Sequence, residues 1–271
     1  MNTENVHYIQ DGTIGFIKII RPKVLNALNK QTLTDLLTIV NFTQEKIEKG
    51  EIHLVVLTGE QNENPKLASF IAGADIKELQ ECDDKAAYEI SSLGQKVTLA
   101  IEGLKACTIA AVGGFCLGGG LEMALSCDFI WCTENSKFAL PEVKLGLIPG
   151  FGGTQRLVRS IGLYAAREMI FSGAMINVAR AKELKLVQQS FENYDGLIQG
   201  IKKFSIELES CSARAIYFAK NVIQQTADKE LPVGLHDELN AFSRLFSTPD
   251  AMEGTKAFLE KRPANFKKDL I

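Results

Sequence analysis

A chain of 271 residues, 46% hydrophobic and 23% charged, is long and apolar enough for one large domain with a true core, or for such a domain with an appendage. Its net charge of −3, with Lys and Arg scattered along the chain, argues against the basic footprint of a nucleic-acid-binding protein. The six cysteines (Cys82, Cys107, Cys116, Cys127, Cys132, Cys211) include no C-x-x-C pair and the histidines (His7, His53, His236) stand far apart, so no metal site is expected.

Most of the cysteines lie in apolar surroundings and read as small core residues of a reducing compartment. The first residues are polar and acidic, without a basic segment leading into an apolar run, and no stretch approaches a membrane span. A cytoplasmic protein is the expectation.

In chain order, residues 6–10 and 14–20 read as two strands around the Asp11-Gly12 turn. Residues 29–49 place Leu33, Leu36, Leu37, Val40 and Ile47 at helical spacing. Residues 53–58 form a compact apolar run ending at Gly59, a buried strand, and residues 61–68 form a polar loop containing Pro65. A long amphipathic helix is predicted over 85–104, and another buried strand over 108–112. Gly118 then opens a helix over 121–126, and the chain returns as a strand over 128–132. Residues 141–145 lead into the loop 149–153 and a helix from Thr154. Strands alternating with helices imply parallel sheets with right-handed crossovers. From Tyr194 only helices are predicted, over 195–208, 213–226, 232–246 and 249–260. The expected organisation is an α/β core over residues 1–193, carrying the site, and a helical region over 194–271 that covers the site or meets another subunit.

Two glutamates 20 residues apart, Glu122 and Glu142, carry the chemical signal, because each lies beside a glycine-rich stretch. Glycine admits close backbone approach, and N–H groups at a helix start stabilise developing negative charge. Two neighbouring carboxylates can take one proton and return another. The pattern therefore suits a carbonyl compound reacting through an enolate-like intermediate. Each piece also has a plain structural reading. Gly118–Gly120 could serve tight strand–helix packing, and an acid in a first helical turn is favoured by the dipole alone. Pro141-Glu142 is a common helix start, and Asp75 in Gly73-Ala74-Asp75 a common N-cap. The interesting alternative is that Ala74 and Gly119 offer two N–H groups to one oxyanion. The loop 149–153 is expected to bring further N–H groups close to Glu142.

Taken together, these segments resemble the enoyl-CoA hydratase (crotonase) family. The resemblance is carried by Arg21-Pro22 with Asn26-Ala27-Leu28, by residues 72–78 (AGADIKE), 109–112 and 117–122, and by Cys127-Asp128. Residues 140–143, 148–157 (IPGFGGTQRL) and 258–266 complete it, in the family's order from about residue 6 to the end. It implies a crotonase-type spiral of ββα turns with C-terminal helices that trimerise, as a homotrimer or homohexamer. It also implies a coenzyme A thioester as the ligand. Ala74 and Gly119 would hold the thioester oxygen, with Ala74, Asp75, Ile76 and Lys77 bordering the CoA moiety and Gly150 lining the substrate. Lys261 would reach a phosphate of CoA from a neighbouring subunit, and residues 79–92 would shape the acyl pocket. No cofactor beyond CoA, which is part of the substrate, is implied.

Other reactions use the same scaffold, so the side chains must choose among them. Glu at both acid/base positions is the hydratase pattern, whereas isomerases of the family typically keep one carboxylate there. The reading is hydration of a trans-2-enoyl-CoA in fatty acid or related acyl-CoA degradation. The alternatives are isomerisation, hydration of a branched substrate and, more remotely, a non-catalytic RNA-binding role. Two departures stand out: Leu140 precedes Pro141 where many hydratases carry Gln, and the loop 61–68 is longer than the family's pattern.

Overall fold

A hairpin begins the fold in the computed structural model, which describes residues 1–62, 64, 67–226 and 228–267. Strands β1 (Val6–Asp11) and β2 (Ile14–Ile19) pair antiparallel with Asp11 opposite Ile14, Gly12 supplying a φ of +59° in the turn. After β2 the backbone turns through Leu25 and Asn26, both left-handed at φ +54° and +58°. Asn tolerates that region better than most residues, and here its fully buried side chain is used on every side. Its Oδ1 accepts from Arg21 N at 3.0 Å, and its Nδ2 donates to the carbonyls of Glu60 and Ser69 at 3.0 and 2.8 Å. Helix α1 (Lys30–Glu48) follows, capped by Asn29 Oδ1 accepting from Thr32 N at 2.8 Å and burying Leu33, Leu36, Val40 and Ile47.

The apolar runs become parallel neighbours. Strands β3 (Leu54–Gly59), β5 (Cys107–Val112) and β7 (Phe129–Thr133) lie in a six-stranded sheet of order β1-β2-β3-β5-β7-β10, with β10 (Gln189–Phe191) at its edge. These central strands are covered on both faces, which is why they read as unbroken hydrophobic runs. Alternate residues divide accordingly. Val55, Leu57, Ala110, Val112 and Ile130 enter the main core with α1, whereas Leu54, Val56, Ile109, Ala111 and Trp131 face Leu197 and Ile201 of α8 (Tyr194–Glu209). Burying each of those two α8 side chains contributes on the order of 2 kcal/mol.

After each central strand the chain adds a short strand to a second sheet, then a helix. Strand β3 is followed by β4 (Ser69–Ile71), α2 (Ile76–Gln80) and α3 (Asp84–Glu102); β5 by β6 (Phe115–Leu117) and α4 (Gly119–Ala124). Strand β7 is followed by β8 (Lys137–Ala139), a 3-10 turn over Glu142–Leu145 and α5 (Gly153–Ile161). The second sheet has the order β4-β6-β8-β9, closed by β9 (Ile176–Asn177) running antiparallel to β8. This is the expected spiral of ββα turns. Helices α6 (Leu163–Ser172) and α7 (Val178–Glu183) lead back to β10. Of the polar loop 61–68, Glu63, Pro65 and Lys66 lie outside the described residues.

Helices α9 (Ala213–Thr226), α10 (Leu231–Leu245) and α11 (Pro249–Leu259) end the chain. Lys220 fastens α9 to the sheet, donating to Asp128 Oδ2 at 2.9 Å and to the Ala106 carbonyl at 3.0 Å. Leu239 and Phe242 of α10, Phe246 at its C-cap, and Phe258 and Leu259 of α11 remain exposed.

Candidate active site

The site is built where two glycine turns touch. Gly118 ends β6 at φ +51° and ψ −126°, a conformation that L side chains avoid. A Cβ placed there would stand 3.6 Å from Gly73 Cα and 2.8 Å from Glu142 Oε1. Gly73, at φ +101°, turns its carbonyl to Leu28 N at 2.8 Å. Because a trans peptide points its C=O and N–H in opposite directions, the N–H of Ala74 faces away from Leu28. Asp75 N closes the same bridge onto the Leu28 carbonyl at 2.8 Å. In the same way the Gly118 carbonyl accepts from Glu122 N at 3.1 Å, along α4, so the Gly119 N–H emerges from the helix start. Neither the Ala74 nor the Gly119 N–H has an acceptor among the described residues. Both expected oxyanion donors are thus open.

Asp75 is the N-cap of α2, its Oδ1 accepting from Lys77 N at 3.3 Å. It does more than cap. Its Oδ2 accepts from Arg21 Nη2 at 3.1 Å, and Arg21 Nη1 donates to the Ala27 carbonyl, so one guanidinium clamps the turn carrying Ala74 to the segment carrying Asn26. Ile76 and Lys77 are exposed beside it. Lys261 is exposed at the end of α11 with φ +54°.

Glu122 is only 2% exposed. Its Oε1 accepts from Phe151 N at 2.7 Å and Gly153 N at 2.6 Å. This corrects one expectation: the N–H groups of the loop 149–153 reach Glu122 rather than Glu142. The cause is the loop's attachment to α3, whose Ser91 Oγ and Gln95 Nε2 donate to the Gly150 carbonyl at 2.7 and 3.1 Å. Thr98 Oγ1 and Arg156 Nη1 likewise donate to the Phe151 carbonyl at 3.1 and 3.2 Å, and Arg156 pairs with Glu102 at 2.6 Å. With the Gly150 carbonyl turned to α3, the Phe151 N–H of the same peptide points the opposite way, to Glu122. Glu122 is raised from the usual 4.5 to about 7, chiefly by burial and also by the charge of Glu142, against the Gly153 and Phe151 N–H groups and Arg156, which pull it down.

Glu142 begins the 3-10 turn and lies against Gly118. Its carboxyl is also held above its usual range by burial, and its Oε2 is buried with no hydrogen-bond partner among the described residues. Leu140, fully buried, brings no polar group to it. The two glutamates lie near enough for the charge of Glu142 to act on Glu122, yet differ in their partners: Glu122 is doubly anchored, and Glu142 has one buried oxygen without a partner among the described residues. Charge on Glu142 therefore opposes the ionisation of Glu122.

Ser91, Gln95, Thr98 and Arg156 escaped the sequence reading. The first three were detectable in principle, since 91, 95 and 98 fall on one helical face, but nothing in the sequence names their acceptors. Gly118 offers a direct test of the geometry. Gly118→Ala should destabilise the protein by about 1–3 kcal/mol through its backbone conformation alone. It should also displace Glu142 and lower turnover far more than a fold-stability loss explains; thermal unfolding and kinetics on the same preparation separate the two.

Comparison with known proteins bears on this arrangement. The family described as Enoyl-CoA hydratase/isomerase matches residues 10–269. The chain is 38% identical to the Crotonyl-CoA hydratase of Syntrophomonas wolfei, over 98% of this chain and 99% of that one. It is 37% identical to the Short-chain-enoyl-CoA hydratase of Clostridium acetobutylicum, over 97% of each. The crystal structure of an enoyl-CoA hydratase from Bacillus anthracis superposes with a TM-score of 0.90 at 31% identity, covering 98% of this chain and 100% of that one.

Proposed function

This chain belongs to the enoyl-CoA hydratase/isomerase family, and on that premise we propose that it is an enoyl-CoA hydratase. It adds water across the C2–C3 double bond of a trans-2-enoyl-CoA to give a 3-hydroxyacyl-CoA, in fatty acid or related acyl-CoA degradation. The observation that carries the reading is the unequal glutamate pair, one oxygen doubly held and one left open, beside two unused N–H donors.

The thioester oxygen accepts from the Ala74 and Gly119 N–H groups, where enolate-like charge gathers during reaction. Losing one such donor in comparable sites costs about 3–4 kcal/mol in the transition state. Ionised Glu122 takes a proton from the water whose oxygen bonds to C3. The electron pair of the double bond moves through C2 toward the thioester, and C2 receives the proton of Glu142. Glu122 ends protonated and Glu142 ionised, and exchange through water restores the pair. Burial holds Glu122 near 7, and the pull of the Phe151 and Gly153 N–H groups leaves it able to ionise as the base near neutral pH; burial raises Glu142 as well, which suits a proton donor. Asp75, Ile76 and Lys77 border the CoA moiety, and Gly150 and Gly119 line the reacting end.

The thioester is itself the electron sink, so the reaction calls for no metal or redox cofactor. The setting is cytoplasmic. The exposed apolar residues of α10 and α11 suit burial in a homotrimer or homohexamer, in which Lys261 reaches CoA bound to a neighbour.

Crotonyl-CoA tests the reading directly. Its conjugated enoyl absorbance should fall rapidly with purified protein, and the product should gain the mass of one water. An unchanged spectrum across short, medium and branched enoyl-CoAs would sink the proposal.

A further inference from the structure

Phe151 meets the site with both of its ends. Its N–H holds Glu122, and its carbonyl is fixed by Thr98 and Arg156. Its ring, in a residue only 5% exposed, packs against two glycines. A Cβ on Gly94 of α3 would overlap the ring, and one on Gly119 would come 2.9 Å from Cε2, with Leu28 Cδ1 3.4 Å from the same point. Glycine in the middle of a 19-residue helix costs helical stability. The ring of Phe151 is the neighbour that requires it there.

The ring thus wedges between α3 and the start of α4. It packs on Gly119, the residue whose N–H is assigned to the thioester oxygen, while the backbone N–H of Phe151 holds Glu122. Resting on the hydratase reading for that placement, we infer that Phe151 is a specificity-determining residue that limits the enzyme to short acyl chains. Carbons beyond the reacting pair run against a buried aromatic wall that is held by its backbone and backed by α3, so it cannot give way.

The test is the binding of two saturated thioesters, butyryl-CoA and octanoyl-CoA, by calorimetry to wild type, Phe151→Ala and Phe151→Leu. The leucine variant keeps most of the apolar volume and so guards against loss of folding. The octanoyl-to-butyryl Kd ratio should fall at least ~10-fold in the alanine variant and by less in the leucine variant, since a hydrophobic pocket discriminates roughly tenfold or more per methylene. A merely structural role would weaken both ligands alike. A ratio unmoved in both variants, or wild type binding neither thioester, overturns the inference. The hydratase reading is judged separately: wild type inert on crotonyl-CoA with the ratio moved defeats that reading alone, and active wild type with the ratio unmoved defeats this one alone.

Discussion

Glu122→Gln and Glu142→Gln are each expected to lower kcat on crotonyl-CoA by at least ~10²-fold while affinity for a CoA thioester survives. Glutamine preserves shape but neither takes nor gives the proton. The proposed binding contacts, through the Ala74 and Gly119 N–H groups and the exposed Ile76–Lys77 edge, are untouched by either change. Because charge on Glu142 is one of the causes that raise Glu122, the residual activity of Glu142→Gln should lose its acid limb at lower pH than wild type does. Steady-state kinetics across pH, with thioester affinity measured alongside, checks all three statements. Near wild-type hydration in either variant would remove that glutamate from the mechanism.

The second large effect concerns stability. A carboxyl that titrates higher folded than unfolded binds its proton more tightly in the native state, so its ionisation works against folding. For Glu122 that penalty is absent below its usual value of 4.5, grows as pH rises, and is complete above about 7. The interval of about 2.5 pH units corresponds to about 3 kcal/mol. Glu122→Gln cannot ionise, and its amide oxygen can still accept from Phe151 and Gly153. The variant should therefore lie near wild type in stability at pH 4.5 and exceed it by about 3 kcal/mol at pH 8.5, as urea unfolding at the two values would register. An equal difference at both pH values would mean that Glu122 is not held in its neutral form by burial. The gain at high pH would show a site trading stability for a base poised near neutrality.

Long elements were legible because their residues announce them. Helix α1 and α3 show their apolar stripes, and β3 and β5 read as buried runs, each within two residues of the observed limits. Strands β4, β6, β8, β9 and β10 span two or three residues each, too few to display a period of two, so only the resemblance implied the second sheet. At the site, the residue types and the open glycines were readable, whereas the partners were not. Expecting the loop 149–153 to serve Glu142 was reasonable from its proximity in the chain. It failed because Ser91, Gln95 and Thr98, more than 50 residues upstream, turn the loop's carbonyls outward.

By itself the sequence determined the α/β class, the helical end of the chain, and the family, through glycines and carboxylates whose types and order survive without any coordinates. Tertiary structure alone decided which N–H groups hold Glu122, that Glu142 keeps an oxygen without a partner among the described residues, and that the ring of Phe151 rests between Gly94 and Gly119. Types and spacing are local properties of a chain. Hydrogen-bond partnership and desolvation depend on what packs around a group, and those neighbours come from four turns of the spiral that lie far apart in sequence.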